Sequence, residues 1–228
     1  MLVSEYMTAN PVSVGENASI LDVAELMKEK RVRRFPVLRD GELIGIVTDR
    51  DLRSAAPSQV ISLDGQERQL MPELHSLLSD IKIKDIMSRD VVTVRPGETI
   101  FAAAKLMLER RISGLPVKES GGGLLGIITE TDIFKVLVDL SGISSGKMTF
   151  AFDLEDVPGS IKEVADSIRA HGGRLVSIMT SHALAESGFR RVYIRIRDLA
   201  PEKLQTLEQE LKERFDLIYM IQDGVDVP

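Results

Sequence analysis

The 228-residue chain has no cysteine, no tryptophan and only three histidines. Without thiols it can form no disulfide, no zinc–thiolate centre and no cysteine nucleophile. His75, His171 and His182 are far apart and show no i, i+4 ligand spacing, so they read as surface residues and no metal site is expected. Acidic residues outnumber basic ones, 35 to 29, and the net charge of −6 opposes a nucleic-acid footprint. No apolar run approaches the length of a membrane span. The start Met1-Leu2-Val3-Ser4-Glu5-Tyr6 lacks the basic region and apolar core of a signal peptide. The expectation is a soluble, cytoplasmic protein without nucleic-acid or membrane partners. The carboxylates two apart, Asp49/Asp51 and Glu130/Asp132, match a buried acid–base pair poorly, so no catalytic residue is expected.

What the sequence does contain is an internal repeat. At an offset of 80, 11 of the 31 positions from Met7 to Val37 are identical to Met87–Val117, where unrelated sequences would share roughly two. After a one-residue insertion the match resumes, Leu43-Ile44-Gly45-Ile46-Val47-Thr48-Asp49-Arg50-Asp51 against Leu124-Leu125-Gly126-Ile127-Ile128-Thr129-Glu130-Thr131-Asp132. Gly, Thr and Asp keep their places in Gly-x-x-Thr-x-x-Asp while the residues between them change. A repeat of this length decides the architecture. Two copies predict a pseudo-two-fold pair with two related clefts.

Each copy reads strand, helix, strand, strand, helix. Val12/Val14 and Val92/Val94 alternate with polar residues. Ser19 and Thr99 are placed to cap helices with the stripes Ile20, Val23, Ala24, Met27 and Ile100, Ala103, Ala104, Met107. Phe35–Leu38 and Leu115–Val117 read as second strands, followed by turns and the buried third strands Leu43–Val47 and Leu124–Ile128. Ile133, Val136, Leu137 and Leu140 predict a closing helix. The pattern gives repeat one over 1–54, a connector over 55–82, and repeat two over 83–140. The connector has turns at Pro57 and Asp64-Gly65 and a short helix from Pro72 carrying Leu74, Leu77, Leu78 and Ile81.

Ser141–Gly146 reads by composition as a flexible linker. The remainder, 147–228, has a different pattern. Met148, Phe150, Phe152 and Leu154 alternate with Thr149, Ala151 and Asp153. A helix stripe follows at Ile161, Val164, Ala165 and Ile168, stopped by Gly172-Gly173. Then come a strand over Leu175–Met179 and the alternating Val192, Ile194 and Ile196. Pro201 opens a helix with Leu204, Leu207 and Leu211, and Leu217–Ile221 is a last strand. The order βαββαβ predicts a ferredoxin-like sandwich, so the fold class is α+β. Arg190, Arg191, Arg195 and Arg197 read as a solvated or interfacial basic strand face.

The repeats resemble cystathionine-β-synthase (CBS) domains, which occur in pairs called Bateman modules. Met7-Thr8-x-x-Pro11-Val12 and Asp85-Ile86-Met87-Ser88 carry the likeness. So do Arg33-Arg34-Phe35-Pro36-Val37, Ser113-Gly114-Leu115-Pro116-Val117 and the two Gly-x-x-Thr-x-x-Asp segments. The C-terminal part resembles an ACT domain, a small-molecule sensing fold, through Asp156-Val157-Pro158-Gly159-Ser160-Ile161 and Gly172-Gly173. The combination is similar to bacterial acetoin-utilisation regulatory proteins.

The chemistry of the signature suits a nucleoside. An Asp carboxylate accepts from both ribose hydroxyls, a Thr hydroxyl donates to phosphate, and Gly leaves room for close backbone approach to a ligand. Arg33 and Arg34 can hold phosphate by forked bonds. Thr48/Asp51 and Thr129/Asp132 could equally cap the helices that follow. The resemblance implies a cleft with adenine near Ser88, Val91, Thr93, Ile112 and Ser113 and the ribose and phosphates at Arg33, Arg34, Thr48 and Asp51. The reciprocal cleft would use Thr8, Pro11, Ser13 and Val32 with Thr129 and Asp132. There Ser113-Gly114 replaces Arg33-Arg34, so the cations are expected at one cleft only. The ACT resemblance implies a small ligand, such as an amino acid, at Asp156, Pro158, Gly159 and Ser160. The expected function is a non-enzymatic sensor with no required cofactor, regulated by AMP, ADP, ATP or another adenosyl compound, acting as a homodimer on an unknown protein target. The rival is a dimeric scaffold with empty clefts, responding to an amino acid at the ACT interface or to a partner protein.

Overall fold

The computed structural model describes residues 1–55 and 72–222. They fall into two compact units, Met1–Ile133 and the chain from Phe134 onward. The turns expected at Pro57 and Asp64-Gly65, and the side chain of His75, lie outside the described residues. Among the described residues, no helix is long and apolar enough to cross a membrane.

The first half of unit one runs α1 (Val3–Tyr6), β1 (Thr8–Ala9), β2 (Val14–Gly15), α2 (Ile20–Lys30), β3 (Arg34–Arg39), β4 (Glu42–Thr48) and α3 (Asp49–Ala55). After α4 (Pro72–Asp80) the second half runs α5 (Ile83–Ile86), α6 (Ile100–Arg110), β5 (Gly114–Lys118), β6 (Leu124–Thr129) and the first turn of α7 (Glu130–Ser141), whose remaining residues belong to the second unit. Ser19 and Thr99 cap α2 and α6, accepting from the Asp22 and Ala102 amides at 3.2 and 3.1 Å. The strands expected around Val12 and Val92 shrink to β2 and to one bridge between Val94 and Val117.

The pairing shows an exchange that the repeat does not announce. The sheets are ordered β2-β3-β4 and β1-β6-β5. β1 therefore belongs to the first repeat by sequence and to the second by hydrogen bonding, with Thr8 opposite Ile127 and Ala9 opposite Gly126. Reciprocally, Ser88 and Ile46 exchange two 3.0 Å backbone bonds. Apolar packing follows the same rule. Ile83 and Met87, from the start of repeat two, join Val14, Ile20, Phe35, Val47, Leu52 and Leu78 in the core of repeat one. Each such side chain, fully buried, contributes about 1.5–3 kcal/mol, so the core of repeat one is completed by residues of repeat two.

The second unit follows the order β7 (Met148–Glu155), α8 (Ser160–Ala170), β8 (Arg174–Ser181), β9 (Phe189–Arg197), α9 (Pro201–Arg214) and β10 (Leu217–Gln222). Its sheet is antiparallel in the order β10-β7-β9-β8. Phe150, Phe152, Val164, Ile168, Val192, Ile194, Leu207 and Leu211 form its core.

Four expectations need correction here. The Ser141–Gly146 segment is an ordered turn rather than a flexible linker, because the buried Arg195 donates to the carbonyls of Ser141 and Gly146 at 2.9 and 3.1 Å. The basic strand is not one solvated face. Arg191 pairs with Asp153 across the sheet at 2.9 and 2.7 Å, and Arg190 lies on the opposite, core-side face with Val192 and Ile194. His171 is half-buried, its Nδ1 within 3.1 Å of the Ser167 carbonyl, so it is not a free surface histidine. In α7, Ile133 and Val136 are buried, whereas Leu137 and Leu140 are exposed.

Candidate functional site

The two Gly-x-x-Thr-x-x-Asp segments fold alike. Thr48 ends β4 and Asp51 sits in the first turn of α3. The Thr48 amide and hydroxyl donate to Asp51 Oδ2 at 2.8 and 2.7 Å, and the Asp51 amide approaches Thr48 Oγ1 at 3.4 Å. Thr129 and Asp132 repeat this at 2.9, 2.7 and 3.4 Å at the head of α7. Each is a reciprocal capping box. The capping role is therefore present in both copies, and it uses one oxygen of each carboxylate. Oδ1 of Asp51 and of Asp132 makes no hydrogen bond among the described residues, and both side chains are half-buried. Asp49, also half-buried, is paired with Arg53.

The strand exchange brings residues of one repeat to the signature of the other. Ser88 lies beside Ile46, two residues before Thr48, and Thr8 lies beside Ile127, two residues before Thr129. Val91, Thr93, Ile112 and Ser113 are half-buried, as are Pro11 and Ser13, while Ser88, Thr8 and Val32 are exposed. The signature glycines admit the exchanged segments. A Cβ on Gly45 would overlap Met87 Sδ and come within 3.2 Å of the Ser88 carbonyl. One on Gly126 would lie 2.5 Å from Met7 Sδ and 2.9 Å from the Thr8 carbonyl. Sequence reasoning missed Met7 and Met87 in this role, although their equivalence in the repeat was visible.

Of the two arginines only Arg34 turns inward. Its Nη2 donates to Ser113 Oγ at 2.6 Å. A Cβ on Gly114 would overlap its Nη1 and meet Cδ and Cζ at 3.1 Å. Burial pushes the Arg34 guanidinium below its ordinary range; Glu130 opposes that shift and Arg33 adds to it. The group stays cationic at any physiological pH. Arg33 is exposed. Glu130 is an acidic neighbour that sequence reasoning did not place here.

In the second unit, Asp156 Oδ1 lies 3.4 Å from Arg190 Nη1 and Asp156 Oδ2 lies 3.1 Å from His182 Nε2. Arg190 Nη2 also donates to Ser160 Oγ at 3.2 Å. Arg190 Nε is buried without a partner among the described residues. Pro158 and Gly159 are exposed, with Gly159 at φ 99° before α8. Among the described residues no group of three or more His, Asp or Glu could hold a metal ion.

Comparison with known proteins places this geometry. The CBS domain family matches residues 3–58 and 83–139, one span in each repeat. A CBS domain-containing protein of Dictyostelium discoideum is 33% identical; the match covers 60% of this chain and 92% of that one. A homoserine O-acetyltransferase of Methanococcoides burtonii is 35% identical over 59% of this chain, but over only 24% of its own length. Among solved structures, a Vibrio cholerae protein assigned to acetoin utilization superposes with a TM-score of 0.50 at 26% identity, covering 63% of this chain and 95% of that one. The chain belongs to the CBS domain family, as a tandem pair of repeats.

Proposed function

We propose that the first unit is a non-enzymatic regulatory module that binds adenine nucleotides, AMP, ADP, ATP or another adenosyl compound, at the two Thr–Asp signatures. One observation carries the reading: each capping box uses only Oδ2, so the half-buried residues Asp51 and Asp132 both keep a carboxylate oxygen with no hydrogen bond among the described residues, at a helix head. A carboxylate oxygen can accept from ribose hydroxyls, and bonds to a charged group are worth about 1.5–3 kcal/mol each. Thr48 and Asp51 would act with Ser88, Val91, Thr93, Ile112 and Ser113, and Thr129 and Asp132 with Thr8, Pro11, Ser13 and Val32. The family resemblance supplies adenine as the base. Ligand binding would bias the exchanged packing of the repeats, by as much as its affinity differs between the two packings.

The βαββαβ order and the β10-β7-β9-β8 sheet support a ferredoxin-like, ACT-like reading of the second unit. In that reading an amino acid carboxylate is taken at Asp156, Pro158, Gly159 and Ser160 with Arg190 as the cation. The module would act as a homodimer on a partner protein. The test is native mass spectrometry of the purified protein followed by calorimetry with AMP, ADP, ATP and adenosine. A bound adenosyl mass and saturable heats support the reading. Purified protein that carries no adenosyl mass and gives no heat with any of the four overturns it.

A further inference from the structure

Arg34 and Gly114 are equivalent positions, 80 residues apart in the repeat. The structure keeps that equivalence: Arg34 pairs with Thr48 in β3–β4 as Gly114 pairs with Thr129 in β5–β6. Yet the Arg34 side chain touches Gly114, its own symmetry equivalent. A side chain can reach its own equivalent only by crossing the pseudo-two-fold axis. An arginine at 114 would cross in the opposite direction and collide with it, so the axis has room for one such side chain and glycine faces it. Arg34 then spans the two signatures. Its backbone pairs with Thr48, while its guanidinium donates to Ser113 Oγ and feels the charge of Glu130, both beside Thr129 in the other. Arg33, its only basic neighbour in this charge balance, is exposed.

We infer that Arg34 is one phosphate-binding cation shared by both clefts, so that a phosphorylated ligand in one cleft weakens the binding of a second in the other. This rests on the nucleotide reading above and changes its regulation: the expectation that the cation serves a single cleft is replaced. Adenosine, with no phosphate to match, fills both clefts without competing for the cation. Phosphate left without a cation on burial is penalised, and site–site coupling of this kind is typically about 5–150-fold.

The test uses full-length protein and calorimetry with AMP and with adenosine. Asp51→Asn and Asp132→Asn each disable one cleft while keeping an oxygen for the capping box, and each is also combined with Arg34→Gln. If the cation is shared, both single-cleft variants prefer AMP over adenosine, and Arg34→Gln removes the preference in both. In wild type, AMP then binds in two steps about 5–150-fold apart, and adenosine shows no comparable gap. An Arg34-dependent preference in only one single-cleft variant assigns the cation to that cleft and overturns the inference, as does adenosine binding with no AMP preference in either. Wild-type protein that binds neither compound overturns the nucleotide reading, and this inference with it. Thermal melts of each variant, and adenosine binding by the Arg34→Gln protein, separate misfolding from loss of the cation.

Discussion

On the proposed reading Asp51 carries two roles on two oxygens, a helix cap that the structure shows and a ribose acceptor, and two substitutions separate them. Asp51→Ala removes both. The cap of α3 loses its acceptor for the Thr48 amide, which costs about 0.5–2 kcal/mol, or roughly 2–8 °C in melting temperature for each kcal/mol. The ribose acceptor is lost as well, at about 1.5–3 kcal/mol, which corresponds to roughly 10–150-fold in Kd. Asp51→Asn keeps a neutral oxygen that can still accept from the Thr48 amide. Its remaining polar group is an NH2 donor, which cannot accept from the ribose hydroxyls. The expected pattern is a substantial loss of AMP affinity at one of two sites in both variants, with a marked drop in melting temperature only for Asp51→Ala. Titration calorimetry reads the first quantity and scanning calorimetry the second. If Asp51→Asn binds AMP with wild-type affinity and stoichiometry, Asp51 is a helix cap alone and the ribose assignment fails.

Further outcomes follow from other contacts. Gly126→Ala should destabilise the protein more than Gly45→Ala, because both Cβ atoms meet a flexible Met side chain but that of Gly126 also meets the Thr8 carbonyl at 2.9 Å, against 3.2 Å to the Ser88 carbonyl at Gly45; overpacking of this kind costs about 1–3 kcal/mol, and urea melts would rank the two. Arg195→Ala should strip the Ser141 and Gly146 carbonyls of a buried donor, at about 1–3 kcal/mol, and speed hydrogen exchange in the 141–147 segment; unchanged exchange would show that the turn holds by itself. At acid pH, the Arg191 bonds hold the Asp153 carboxyl below its ordinary range. A depressed folded pKa gives stability that is present above the unfolded value of about 3.9 and lost as pH falls through the folded one. Asp153→Asn should therefore flatten the acid limb of the stability curve and leave neutral pH less affected, which melts between pH 2 and pH 7 would read.

The helices and hairpins were legible because their signals are local. Ser19 and Thr99 precede apolar stripes and do cap α2 and α6. Val192, Ile194 and Ile196 alternate as they do in β9 and are fully buried. What was not legible is partner choice. Met7-Thr8 and Met87-Ser88 carry nearly the same pattern, so either could pair with either sheet, and only tertiary packing shows that each crosses to the other repeat. The flexible linker failed for a related reason. Gly and Ser in Ser141–Gly146 announce conformational freedom, but Gly146 is instead the small residue that admits the Arg195 side chain; a Cβ on it would lie 2.7 Å from Arg195 Cγ. The basic strand was misread because a run of arginines suggests one face, whereas period two sends Arg190 and Arg191 to opposite sides.

The same reasoning explains why one substitution between near-identical repeats has a large consequence. Most differences between the copies, such as Val32 against Ile112 or Ser13 against Thr93, exchange one side chain for a similar one. Arg34 against Gly114 lies where the halves meet, so the two residues share one space and cannot be varied separately. Replacing Gly114 with any side chain must displace the Arg34 guanidinium, and removing Arg34 leaves a void against Gly114 and frees Ser113 Oγ. An internal repeat thus produces two similar capping boxes with two similar carboxylates, while the axis between them admits a single cation. On the proposed reading the symmetry of the fold provides two clefts, and the asymmetry at Arg34 and Gly114 would make their occupancies interdependent.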